Sequence, residues 1–103
     1  MKRRYADIEE GSEAGAGLAE AMVRLQTHAQ MQAFLEDLCT PAELEAMTDR
    51  WRVVPLLLDA VPYREIHDRT GVSVTTIGRV ARTLERGAGG YAAAIKRRSA
   101  RAV

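Results

Sequence analysis

At 103 residues, with 47% apolar residues and five aromatics, the chain can build one domain with a modest core, and it is too short for two independent ones. No apolar run approaches the ~18 residues that crossing a bilayer requires, and a single cysteine, Cys39, excludes an internal disulfide. The net charge of +1 hides an asymmetry: residues 1–61 carry six Lys/Arg against eleven Asp/Glu, residues 62–86 five against three, and residues 87–103 four against none. The acidic half should therefore face away from a polyanion and the basic half toward it.

Residues 1–16 mix Lys2-Arg3-Arg4 with Asp7, Glu9, Glu10, Gly11, Ser12 and Gly15, and read as a flexible arm with little packing capacity. Their opening stretch Met1-Lys-Arg-Arg-Tyr-Ala-Asp7 lacks an apolar signal core, so the expected location is cytoplasmic. From Leu18 the pattern is helical, with Leu18, Met22, Leu25, Ala29, Phe34, Leu35 and Leu38 on one face. Thr40-Pro41-Ala42-Glu43 is a capping box with proline at the first helical position, which starts a helix at Pro41. Leu44, Met47, Trp51, Val54 and Leu58 follow at helical spacing.

Pro55 has no N–H to offer the carbonyl of Trp51, so a kink or local break is expected there. Val53 to Leu58 is otherwise apolar all round, which is unusual for a helix in a small monomer. Trp51, Val53, Val54, Leu56, Leu57 and Leu58 would exceed what one chain can cover, which points to a homodimer. Residues 17–61 thus read as dimerisation helices, closed by a short turn over 59–62.

Residues 62–86 read as a helix-turn-helix. Gly71 sits where the chain must reverse, a place that favours φ > 0, and Ser73 suits the N-cap of a second helix. Ile77, Val80 and Leu84 give that helix one buried stripe. Its other face offers Thr75, Thr76, Gly78, Arg79, Arg82 and Thr83: short donors and guanidiniums without a carboxylate, suited to phosphates and base edges. His67 falls where the two helices approach closely, so either they splay or the imidazole points along their edge. Gly87-Ala-Gly-Gly90 stops the second helix, and residues 87–103 read as a last helix from Tyr91 with a basic tail.

Several of these segments resemble the Trp-repressor-like proteins, in particular the YerC/YecD-type branch. The likeness covers about residues 18–98. It rests on Leu35-Glu-Asp-Leu-Cys-Thr-Pro41, Arg50-Trp-Arg52, Tyr63-Arg-Glu-Ile66, Thr70-Gly-Val-Ser73, Ile77-Gly-Arg-Val80 and Leu84-Glu-Arg-Gly-Ala-Gly-Gly-Tyr91. It implies an all-α helical bundle, an interleaved homodimer in which helices of both chains build one core. It also implies DNA contacts from Arg64 and from Val74, Thr75 and Gly78 at the tip of the recognition helix. Arg50 and Arg79 align with the two arginines that hold the ligand in tryptophan-binding members. Val80 stands where those members have the glycine that gives the indole room, which speaks against tryptophan as corepressor. A phosphate contact or a surface ion pair is then the preferred role for Arg50 and Arg79.

No catalytic constellation is visible, so an enzyme is not expected. His28, His67 and Cys39 are scattered over helices and cannot supply a metal site of usual ligand count. The glycine cluster at 87–90 has no strand before it and no Lys-Ser/Thr after it, so it is no phosphate-binding loop. No cofactor is therefore expected. The reading that results is a dimeric, sequence-specific DNA-binding regulator, a repressor in the leading case, on a two-fold symmetric site in double-stranded DNA. Ser73 belongs to this interface as the cap of the recognition helix. Arg64, Arg82, Arg86 and the Lys96-Arg-Arg98 tail would meet phosphates, while Thr75, Thr76 and Arg79 would reach base edges. The alternative is a helical dimerisation or scaffold module whose helix-turn-helix binds protein. Such a face should show apolar or aromatic anchors, and the outward side of Thr75 to Thr83 shows none.

Overall fold

A computed structural model describes residues 12–95; the rest of the expected N-terminal arm and the Lys96-Arg-Arg98 cluster lie outside them. The described residues are all-α. Helix α1 spans Ser12–Val23, α2 His28–Leu38, α3 Pro41–Leu58, α4 Tyr63–Thr70 and α5 Val74–Arg86, and residues 90–95 are again helical. The chain divides into two compact units, Met1–Thr40 and Pro41–Val103.

In the first unit the helical stretch expected from Leu18 is two helices, and the first begins earlier. Residues 12–16, read from sequence as part of a flexible arm, form the opening turns of α1. Glu13 in the first turn suits the positive helix end, and alanines on either side of Gly15 offset its cost. Between α1 and α2 the chain is capped afresh. The Thr27 hydroxyl oxygen accepts the N–H of Gln30 at 3.0 Å, and Gln30 Oε1 accepts the N–H of Gln26 at 2.8 Å. Thr27-His-Ala-Gln30 is a close variant of the capping box, and it ends any continuous helix from Leu18 to Leu38. None of the side chains at 13–40 is buried: Leu18, Val23 and Leu38 are exposed, and Met22, Leu25, Met31, Phe34 and Leu35 are half-buried.

In the second unit α3 starts at Pro41 as expected and continues through Pro55 to Leu58. The local break expected at Pro55 does not occur. Proline removes a single donor, that of Pro55 itself, and the fully buried Val53 and Val54 just before it hold the helix in place. The helix then closes in a Schellman motif, with the N–H of Val61 on the carbonyl of Leu56 at 3.0 Å and that of Ala60 on Leu57 at 3.0 Å. This geometry puts Ala60 at φ 61°, in the left-handed region where glycine is usual.

Val53 and Val54 of α3, Ile66 of α4, Val72 of the turn, and Ile77 and Val80 of α5 form the core, with Leu56, Leu57, Val61, Leu84, Tyr91 and Ile95 packed around it. The buried stripe of α5 is thus the expected one. The six apolar residues of α3 fare better inside one chain than their sequence suggests. Val53 and Val54 are fully buried and Leu56 and Leu57 half-buried, which leaves Trp51 at 39% and Leu58 at 51% exposed. The reason is that α4 and α5 come back onto α3, so that α3 shares one core with the helix-turn-helix.

Candidate nucleic-acid interface

The turn between α4 and α5 is built from local hydrogen bonds that leave its backbone largely satisfied. Gly71 takes φ 78°, ψ −1°, and its N–H donates to the carbonyl of His67 at 2.8 Å. The Thr70 hydroxyl donates to the carbonyl of Ile66 at 2.7 Å and accepts the N–H of Val72 at 3.1 Å. The His67 imidazole points along the edge of the two helices. Its Nδ1–H reaches the carbonyl of Val72 at 2.8 Å, which fastens α4 across the turn. Ser73 then caps α5, its side-chain oxygen accepting the N–H of Thr76 at 3.1 Å. These bonds and the buried Val72 fix the direction in which α5 leaves the turn.

With Ile77, Val80 and Leu84 turned inward, the outward face of α5 is determined. Thr75, Arg79, Arg82 and Arg86 fall at i, i+4, i+7 and i+11 and form one exposed row. Among the described residues none of the three arginines has a carboxylate within salt-bridge distance, nor has Arg64 on α4. Arg69, by contrast, is paired with Glu65 at 3.4 Å. Arg79, Arg82, Thr83, Arg86 and Gly87 line an open groove of about 220 Å³. At Gly87 a side chain is excluded, because a Cβ there would stand 2.5 Å from the carbonyl oxygen of Thr83. Val74, at the tip of α5, is 52% exposed, and Gly78 is half-buried.

The threonines divide in a way that spacing alone does not reveal. The Thr83 hydroxyl donates to the carbonyl of Arg79 at 3.0 Å, and Thr76 Oγ1 accepts from the Ser73 hydroxyl at 3.1 Å. The Thr83 proton is thus spent on its own helix, whereas Thr76 accepts from the cap and keeps its own proton. Thr75 has no such bond among the described residues and offers its hydroxyl outward.

Arg50 lines a second cleft, of about 260 Å³, with Ala46, Asp49, Gly71, Val72, Ser73 and Thr76, whereas Arg79 lines the arginine groove. Val80 is 1% exposed and belongs to the core.

The Trp repressor protein family matches residues 13–99 of the chain. The chain is 32% identical over 80 residues to the uncharacterised protein YerC of Bacillus subtilis (strain 168), covering 78% of this chain and 77% of that protein. It is also similar to the crystal structure of a Staphylococcus aureus protein assigned provisionally to the Trp repressors. There the TM-score is 0.79 at 26% identity, with 95% of this chain and 96% of the other covered. The family match, the sequence identity and the shared fold agree, and the chain belongs to the Trp repressor family as a YerC-type member.

Proposed function

We propose that the protein is a DNA-binding transcriptional regulator, a repressor, that acts as a homodimer on a two-fold symmetric site. The observation that carries this reading is the row Thr75, Arg79, Arg82 and Arg86. It sets three guanidiniums, unpaired among the described residues, on the outward face of a helix whose inward face is locked into the core. Guanidiniums without carboxylate partners suit the phosphate backbone and the acceptor edges of bases, and membership of the Trp repressor family agrees with that role.

Dimerisation is supported by the first unit, where none of the side chains at 13–40 is buried within one chain, and by exposed Trp51, Leu58 and Leu38. A second copy would cover such surfaces. The geometry then follows that of helix-turn-helix dimers in general, Trp repressor among them, with two recognition helices about 34 Å apart in successive major grooves. The place of action is the cytoplasm, on the chromosome. Among the described residues no helix is long and apolar enough to cross a membrane.

Selection of bound duplexes from a random pool by the purified protein tests the proposal. Recovery of a two-fold symmetric site is the expected result. Recovery of no enriched sequence would overturn it in favour of a module that binds protein.

A further inference from the structure

Register along α5 places Arg82 two turns from the helix tip, where side chains ordinarily meet the DNA backbone. Its guanidinium lies elsewhere. A Cβ built on Gly78 would sit in ordinary van der Waals contact, 3.6 Å from Arg82 Nη1 and 4.0 Å from Tyr63 Cε2, so a branched side chain there would reach into the guanidinium's place. Helical side chains lean toward the N-terminus, so residue i covers residue i−4. Here that residue is a glycine, and the guanidinium comes down over the bare backbone. It is thereby carried about one turn, ~5.4 Å, toward the tip, with the exposed Tyr63 of α4 alongside.

The group that arrives there is unspent. Arg82 has no ion pair or hydrogen bond among the described residues, so its planar set of donors remains available. Thr75, one turn nearer the tip on the same row, keeps its hydroxyl free as well. The N-terminal part of a recognition helix is the part that meets base edges. A fork of guanidinium N–H groups at that level fits the O6 and N7 acceptors of guanine, the commonest specific contact in the major groove.

We infer that Arg82 is a specificity-determining residue that reads a guanine in each half-site, and that Gly78 is the positioning residue that gives its guanidinium passage. The assignment rests on the DNA-binding reading above and assigns Arg82 a role beyond phosphate contact.

The test compares sites selected from a random duplex pool by the wild type, Arg82→Lys and Gly78→Val, with melting curves confirming that each variant folds. Lysine keeps the charge and loses the fork. Valine keeps every arginine and fills the space over residue 78. In both variants the preference for guanine at one symmetric pair of positions should fall by about tenfold or more, with the rest of the site unchanged. A site recovered unchanged by Arg82→Lys would make Arg82 a phosphate contact and overturn the assignment alone. An unchanged site with Gly78→Val would overturn the role of the glycine. A wild type that selects no sequence would overturn the DNA-binding reading and this assignment with it.

Discussion

Three described residues of the second unit have positive φ, and one of them, Ala60, is not a glycine. Gly71 stands at φ 78° after α4, and Ala60 at φ 61° after α3. Exchanging their side chains separates backbone strain from packing. For Gly71→Ala the new Cβ would meet nothing within 4 Å, so the cost is the left-handed conformation itself, about 1–2 kcal/mol for a residue with a Cβ. The more restricted unfolded chain returns about 0.4–1 kcal/mol of this, leaving a net loss of about 1 kcal/mol. Ala60→Gly runs the same account backwards and should gain about 0.5–1 kcal/mol, since the Schellman bonds at 3.0 Å use backbone atoms alone. Urea denaturation at one fixed chain concentration reads both, because association would otherwise shift the apparent stability. With a slope of about 1–3 kcal/mol/M, the midpoints should move in opposite directions by about 0.3–1 M. The double variant should fall near the sum. A lower midpoint for Ala60→Gly, or an unchanged one for Gly71→Ala, would refute the strain argument.

On the DNA face, Arg86→Ala should weaken binding to all duplexes alike and flatten the dependence of log K on log salt by about 0.9 per lost phosphate contact. Thr75→Ala should cost about 1 kcal/mol or more on the selected site and leave the salt slope as it was; equal weakening on random DNA would remove it from the base edges. Millimolar L-tryptophan should change neither the melting temperature nor the DNA affinity, because Val80 is 1% exposed and already part of the core. An upward shift of several degrees would show a pocket that the valine does not close. Sedimentation at micromolar concentration should give about twice the chain mass of 11.3 kDa. A folded species at the single-chain mass would contradict the argument from the unburied first unit.

What could be read from the sequence was set by range. The turn of the helix-turn-helix depends on Gly71, Ser73 and the residues beside them, and the stripe of Ile77, Val80 and Leu84 is a simple period, so local rules placed both helices. The start of α3 at Pro41 is likewise a local signal. The break before α2 was signalled too, by Thr27 and Gln30, but the apolar period running across it from Leu18 outweighed two polar residues. Helix continuity at Pro55 depends on Val53 and Val54 being held by α4 and α5, and no window around the proline contains that information. The same holds for the site. Spacing gave the row of Thr75, Arg79, Arg82 and Arg86, whereas the hydroxyls of Thr76 and Thr83 are engaged through side-chain torsions that spacing does not specify. His67 was a conflict in the sequence because a small residue is usual there. It resolves by a bond to Val72 that only the folded turn supplies.

The tilted pair of Trp51 and Tyr91, with ring centroids 6.3 Å apart and planes at 43°, makes the chain its own optical gauge. There is one tryptophan in 103 residues, so every emitted indole photon comes from one point on α3. At that separation the phenol hands its excitation to the indole, and tyrosine light from residue 91 is quenched for as long as the helical segment over 90–95 stays docked. Undocking would release that emission before α3 itself unfolds. Because the indole is 39% exposed, its colour should shift toward the blue when another surface closes over it. Two wavelengths thus separate the fraying of the C-terminal segment from the covering of α3, with no label attached.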